Sequence, residues 1–182
     1  MNLTKEPFLL PDGRTIELRS PLADDAAAML DYLSRTSEQT HFMIRYADEL
    51  TMTTEQEREF LQTVLESENS LFLAAFLDGA LVGNVSVQQI GAQRKLRHRA
   101  ELGIALCREV WDVGLGTRLM RCALDWAKSV GFSQIELGVF ADNVRAVHLY
   151  SKLGFRQTGI IPRAFRLDDG TFRDEIQMML SL

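Results

Sequence analysis

At 182 residues, 46% of them hydrophobic, the chain is long enough for one domain with its own core. Twenty Lys and Arg against 25 Asp and Glu leave a formal charge of -5, which argues against a broad phosphate-backbone footprint and hence against a nucleic-acid partner. Cys107 and Cys122 lack CxxC or Cys/His ligand spacing, the three histidines give no zinc pattern, and no apolar run approaches the ~20 residues of a membrane span, so a reduced, cytoplasmic protein without metal or membrane contact is expected.

In chain order, residues 14–20 ("RTIELRS") alternate around Ile16 and Leu18 as a half-buried strand does. Beyond Pro21, Ala26, Met29, Leu30 and Leu33 recur at helical spacing, and Asp24 and Asp25 stand where a helix dipole favours carboxylates. Residues 34–50 show no clear period. Residues 53–67 predict a second helix, with Thr54 and Glu57 at capping-box spacing and Phe60, Leu61, Val64 and Leu65 as its apolar stripe. Two strand-like runs within 71–90 flank Asp78-Gly79, a strong hairpin signal.

A basic loop, 92–99, leads into the strand candidate "AELGIALC" (100–107). A helix follows Gly116, with Leu115, Leu119, Ala123, Trp126 and Val130 on one face and Gly131 as its C-terminal stop. Next come a strand with Ile135, Leu137 and Val139 on one face and a helix from Asn143 to Gly154 carrying Ala146, Leu149, Tyr150 and Leu153. Residues 154–180 predict a long hairpin turning at Asp169-Gly170, with an irregularity at Pro162. The order β-α-α-β-β-β-α-β-α-β-β makes residues 1–182 a single mixed α/β domain, not a strictly alternating doubly wound sheet.

Two stretches carry chemistry. Gly114 and Gly116 precede a helix, where bare backbone and free N–H groups suit an anion and Thr117 adds a hydroxyl; an ordinary glycine turn reads equally well. The loop lacks the GK[ST] ending of a P-loop, and Leu119 breaks the dinucleotide fingerprint. In "VFADNVRAVHLYSKLGF", Asn143 and Tyr150 lie two helical turns apart on one face; singly, they read as an N-cap and a core aromatic.

Together, "VGLGTRLMRCALDWAK" and "N..A..LY.KLGF" resemble the GNAT superfamily of N-acetyltransferases, most sharply from Glu101 to Phe155, in the branch holding ribosomal-protein alanine and small-molecule acetyltransferases. The resemblance implies a central, mostly antiparallel sheet with a splayed parallel strand pair, flanked by about four helices. It implies acetyl-CoA as cosubstrate, with the pyrophosphate on the amides of Val113, Gly114, Leu115, Gly116 and Thr117. The pantetheine arm would lie along the strand of Ile104 and Leu106, Asn143 would contact the coenzyme, and Tyr150 would protonate the leaving thiolate. In the family signature, (Gln or Arg)-x-x-Gly-x-(Gly or Ala), Trp111 replaces the first residue and Asp112 stands where many members have another glycine.

Acyl transfer to an amine requires a neutral nucleophile, a polarised carbonyl and a proton for the sulfur. Glu101 is the leading general base; it alternates with Gly103 and Ala105 on the face away from Leu102, Ile104 and Leu106, where a solvated carboxylate is the competing reading. His98 and His41 are alternative bases, and Cys107 has no neighbouring histidine to make it a nucleophile. Phe42, Tyr46 and Phe165 suggest an aromatic-lined acceptor cleft, while the basic run 94–99 and Met178-Met179 read as solvated loop and packing. The expected acceptor is a small-molecule primary amine, with a peptide N-terminus or a non-catalytic coenzyme-binding module as alternatives; a homodimer through the C-terminal hairpin is open.

Overall fold

In the computed structural model, which describes residues 3–182, strands β1 (Thr4–Leu9), β2 (Thr15–Arg19), β3 (Ser70–Leu77), β4 (Ala80–Gln89), β5 (Arg99–Leu106), β6 (Gln134–Phe140), β7 (Arg156–Arg166) and β8 (Phe172–Ser181) form one sheet in the order β1-β2-β3-β4-β5-β6-β8-β7. All described neighbours are antiparallel except β5 and β6, which run parallel. Helices α1 (Ala26–Gln39) and α2 (Thr54–Glu66) lie on one face, and α3 (Leu115–Ser129) and α4 (Val144–Lys152) on the other. Among the described residues this is the expected mixed architecture, with one parallel pair and four α-helices.

The sheet centre is apolar on both faces because helices cover both. Leu71, Leu73, Val85 and Val87 are buried in β3 and β4, and α3 buries Leu115, Leu119, Ala123 and Trp126 against the sheet. Val130, placed by its spacing on that same face, lies past the helix end and is 40% exposed. The hairpin at Asp78-Gly79 forms as expected, both residues adopting positive φ.

Three local readings change and a fourth holds. Strand β1 was not foreseen: it is an edge strand containing Pro7, with a bulge between Lys5 and Phe8 that destroys the alternation. The cap of α2 is Thr53, one residue earlier than the motif suggested; its Oγ1 accepts from the Gln56 N–H at 3.2 Å and its own N–H donates to Gln56 Oε1 at 2.9 Å. That phase buries Glu57 with Leu61 and leaves Phe60 exposed. In α1 the buried line is Met29, Tyr32 and Thr36, with Leu30 and Leu33 at its border, because the Tyr32 hydroxyl donates to Ala105 O at 2.7 Å and meets Asn84 Oδ1 at 2.8 Å. In the terminal hairpin the irregularity at Pro162 is real: the β7–β8 register shifts between Ile161 and Phe165, and Arg163 adopts φ 55°.

Candidate functional site

The parallel pair holds together over three rungs, Arg99 opposite Gln134, Ala100 opposite Ile135 and Glu101 opposite Glu136. Arg99 closes this apex by gripping both oxygens of Glu136, and that guanidinium holds the Glu136 carboxyl below its ordinary range. Beyond it the two strands separate. Cys107 N–H donates to Val82 O at 2.9 Å and Ile90 N–H to Arg99 O at 3.1 Å, so odd-numbered residues of β5 bond to β4. The N–H and C=O groups of the intervening Ile104 and Leu106 therefore turn toward β6, where the ladder has ended. This edge has no strand partner, and it borders a cavity of about 470 Å³.

The glycine loop stands at one end of this cavity. Gly114 is the N-cap of α3 at φ 88°, a conformation that penalises a side chain, and the first intrahelical bond runs from Arg118 N–H to Gly114 O at 3.1 Å. The amides of Leu115, Gly116 and Thr117 therefore have no acceptor within the helix and point out of its positive end. Gly116 is glycine for a different reason: a Cβ there would sit 3.3 Å from both Leu106 Cδ1 and Leu149 Cδ2, where α3, β5 and α4 meet.

The two departures from the family signature are explained by β5 and α4. Trp111 Nε1 donates to Leu106 O at 2.8 Å, satisfying one of the carbonyls stranded by the separation of β5 and β6. Asp112 receives two bonds of 2.9 Å from Arg145, whose guanidinium carbon lies 4.5 Å from the centre of the Trp111 ring. The carboxylate beside the helix N-terminus is thus neutralised by a cation from the next helix.

Asn143 caps α4, its Oδ1 accepting from Ala146 N–H at 3.2 Å. Its amide group is left for any other contact. Tyr150 lines the cavity and is only 7% exposed, and its hydroxyl has no hydrogen-bond partner among the described residues. Burial pushes that phenol up to about 12, so it stays protonated at neutral pH. Cys107 is fully buried, off the cavity lining, with its thiol raised to about 11 by burial, which makes it a poor nucleophile.

Across the sheet, the rim is aromatic. Phe140 stacks on Phe165 with ring centres 3.9 Å apart, and Phe42 approaches Phe140 at 6.0 Å. His41 is engaged with Asp142 at 2.9 Å, and Asp142 also accepts from Arg173 Nε at 2.9 Å.

The cavity gathers Glu101, Ile104, Leu106, Gly114, Gly116, Thr117, Asn143 and Tyr150 from the sequence-based set. Val113 and Leu115 are not on its lining; their side chains pack into the core, leaving only backbone to contribute. Phe42 and Phe165 line it, while Tyr46 instead receives the Asp168 N–H on its hydroxyl at 2.9 Å. His41 and His98 lie off the lining. Sequence reasoning missed Arg145, Gly138, Phe140 and Glu175, all on the lining. Arg145 stands two residues beyond Asn143, and Phe140 ends a strand already predicted.

Residues 27–155 match the model of the acetyltransferase (GNAT) family. The spermidine N(1)-acetyltransferase of Escherichia coli (strain K12) is 32% identical over 104 residues, 57% of this chain and 54% of that protein, so the chain spans about half the length of this relative. A GNAT-family acetyltransferase of Streptococcus pneumoniae superposes with a TM-score of 0.87 at 32% identity, over 92% of this chain and 99% of that one. The yncA protein of Salmonella typhimurium, solved with its cofactor acetyl-CoA, shares the fold at a TM-score of 0.79 and 20% identity, over 92% and 94%.

Proposed function

The chain belongs to the GNAT acetyltransferase family, and from that membership we propose that it transfers an acetyl group from acetyl-CoA directly to a primary amine. The observation that carries this reading is the convergence, in one cavity, of the β5 edge at Ile104 and Leu106, which lacks a strand partner and of which only the Leu106 carbonyl is bonded, the acceptor-free amides at the start of α3 and the Tyr150 hydroxyl, which has no partner among the described residues. Each is a polar group that a buried site should not leave unused.

The residues fit the coenzyme. Gly114, Leu115, Gly116 and Thr117 present backbone to a pyrophosphate, Asn143 has a free amide group beside it, and the edge of β5 suits the amides of the pantetheine arm. Bound there, acetyl-CoA supplies an activated thioester. Tyr150 holds the proton that a departing thiolate requires, at a pH where the phenol is un-ionised. Glu101 lines the cavity on the α1/α2 face without an ion-pair partner among the described residues, and serves as the base that takes the proton of the incoming amine. The aromatic rim above this opening favours a small amine over a polypeptide.

The test is release of free thiol from acetyl-CoA by the purified protein with a panel of polyamines, amino acids, aminoglycosides and N-terminal peptides. Turnover with a small amine supports the reading. Thermal stabilisation by coenzyme A with no thiol release on any acceptor would identify a binding module instead.

A further inference from the structure

Among the acidic groups around the cavity, three are already matched: Asp112 by Arg145, Asp142 by His41 and Arg173, and Glu136 by Arg99. Glu175 is not. It is half-buried, lines the cavity, and has no cationic partner among the described residues; Gln177 Nε2 donates to its Oε2 at 2.7 Å and fixes its direction. Arg173, its neighbour on the same face of β8, is committed to Asp142, to the Thr171 hydroxyl and to the Phe172 carbonyl.

Its position follows from the parallel pair. The last paired rung is Glu101 opposite Glu136, so the side-chain period of two sets Gly103 and Gly138 across from each other at the first open rung on that face. Neither has a Cβ, and both line the cavity, which leaves an aperture between the coenzyme side of the sheet and the α1/α2 side. The Glu175 carboxylate lies over Gly138, in space that a Cβ at that position would overlap. Glu101 stands on the β5 side of the same aperture. Phe140, the β6 residue in register with Glu175, begins the aromatic wall completed by Phe165 and Phe42.

We infer that Glu175 and this wall form the docking subsite of the acceptor, which is a primary ammonium carried on an apolar arm. The ammonium pairs with the Glu175 carboxylate at the mouth of the aperture, and the arm lies along Phe140 and Phe165. A carboxylate removed from bulk water and left without a cation is disfavoured, and an incoming ammonium relieves that cost while the rings exclude water around the pair. The inference rests on the acetyl-transfer reading only for the identity of the site, and Glu101 keeps the role of proton acceptor on the opposite side.

Calorimetric titration of the coenzyme A complex with 2-phenylethylamine and with its uncharged analogue 2-phenylethanol tests the subsite without relying on turnover. The parent should bind the amine more tightly, and the near-isosteric Glu175→Gln should weaken amine binding by roughly 10- to 100-fold, the range for a lost hydrogen bond to a charged group, while leaving the alcohol unchanged. Gly138→Ala, which displaces the carboxylate without removing it, should weaken amine binding in the same direction. With any acceptor found by thiol release, Glu175→Gln should raise KM and spare kcat, whereas Glu101→Gln should lower kcat. Equal binding of amine and alcohol by the parent, or an amine affinity unmoved by Glu175→Gln in a variant that still binds coenzyme A, would overturn the subsite. Absence of thiol release on every amine would instead overturn the acetyl-transfer reading, leaving the binding comparison to stand or fall alone.

Discussion

Two glycines separated by one leucine open α3, and substituting each tests why it is there. Gly114 adopts φ 88°, and the nearest atom to a Cβ built on it is Phe8 Cζ at 3.8 Å, an ordinary contact. The expected cost of Gly114→Ala is therefore conformational, about 1–2 kcal/mol for a residue forced into the left-handed region. At about 2.1 cal/mol/K of unfolding entropy per residue, 182 residues give about 0.4 kcal/mol/K, so the melting temperature should fall by roughly 3–5 °C. Asparagine tolerates that region, and Gly114→Asn should recover a large part of the loss. Gly116→Ala meets a different obstacle, because its Cβ would press on Leu106 and Leu149 at 3.3 Å, at the wall of the cavity and not in the backbone. It should cost less stability than Gly114→Ala but weaken coenzyme A binding by several-fold. Differential scanning calorimetry and isothermal titration with coenzyme A separate the two effects. If Gly114→Asn were no more stable than Gly114→Ala, or if both glycine variants lost stability and affinity in the same proportion, the division between a strained turn and a close-packed junction would be wrong.

Tyr150→Phe should lower kcat by about 10²-fold while leaving coenzyme A binding intact, as measured by thiol release and titration. Because the buried phenol is raised from 10.0 to about 12, its contribution to stability is complete below about pH 10 and is lost as pH rises toward 12; the phenylalanine variant should lack that part of the alkaline loss in melting experiments. Arg145→Ala, by uncovering the Asp112 carboxylate beside the proposed phosphate cradle, should weaken coenzyme A binding about 2- to 5-fold at low salt, an effect worth under about 1 kcal/mol because the pair is exposed. Adding Asp112→Asn should restore the affinity, and a double variant as weak as Arg145→Ala would show that Arg145 acts on the ligand itself. Burial raises the Glu57 carboxyl, so its charge opposes folding at neutral pH; Glu57→Gln should raise the melting temperature near pH 7 and lose that advantage in acid, where the parent carboxyl is protonated.

Which parts of this arrangement can be read from one sequence depends on how far apart the determinants lie. The capped helices, the hairpin at Asp78-Gly79 and the alternation of Ile16 and Leu18 are set by neighbours within a few residues, and they form as expected apart from one-residue shifts in phase. Tyr32 escaped notice because its burial depends on Asn84 and Ala105, far along the chain. Glu175 escaped for the same kind of reason. Period-two alternation puts it on a face with Gln177, but its place over Gly138 comes from the register of β8 on β6. The separation of β5 from β6 leaves no local trace either: Ile104 and Leu106 read as ordinary strand residues, and only the resemblance to a family implied that their partners are missing.

The residues that looked anomalous in the sequence have a common explanation in this separation. A parallel pair that ends after three rungs strands the Leu106 carbonyl, and Trp111, at the signature position usually held by Gln or Arg, supplies the donor that satisfies it. Its ring then gives Arg145 a surface to lie on, and Arg145 in turn matches Asp112, which adopts φ 60° in the turn where many relatives place glycine. Trp111 and Asp112 each break a local expectation when taken singly. With Arg145 they leave no polar group of their own in conflict with the turn, and the amides of Leu115, Gly116 and Thr117 stay without an acceptor in the helix at the edge of the cavity, the pattern expected of the proposed anion site.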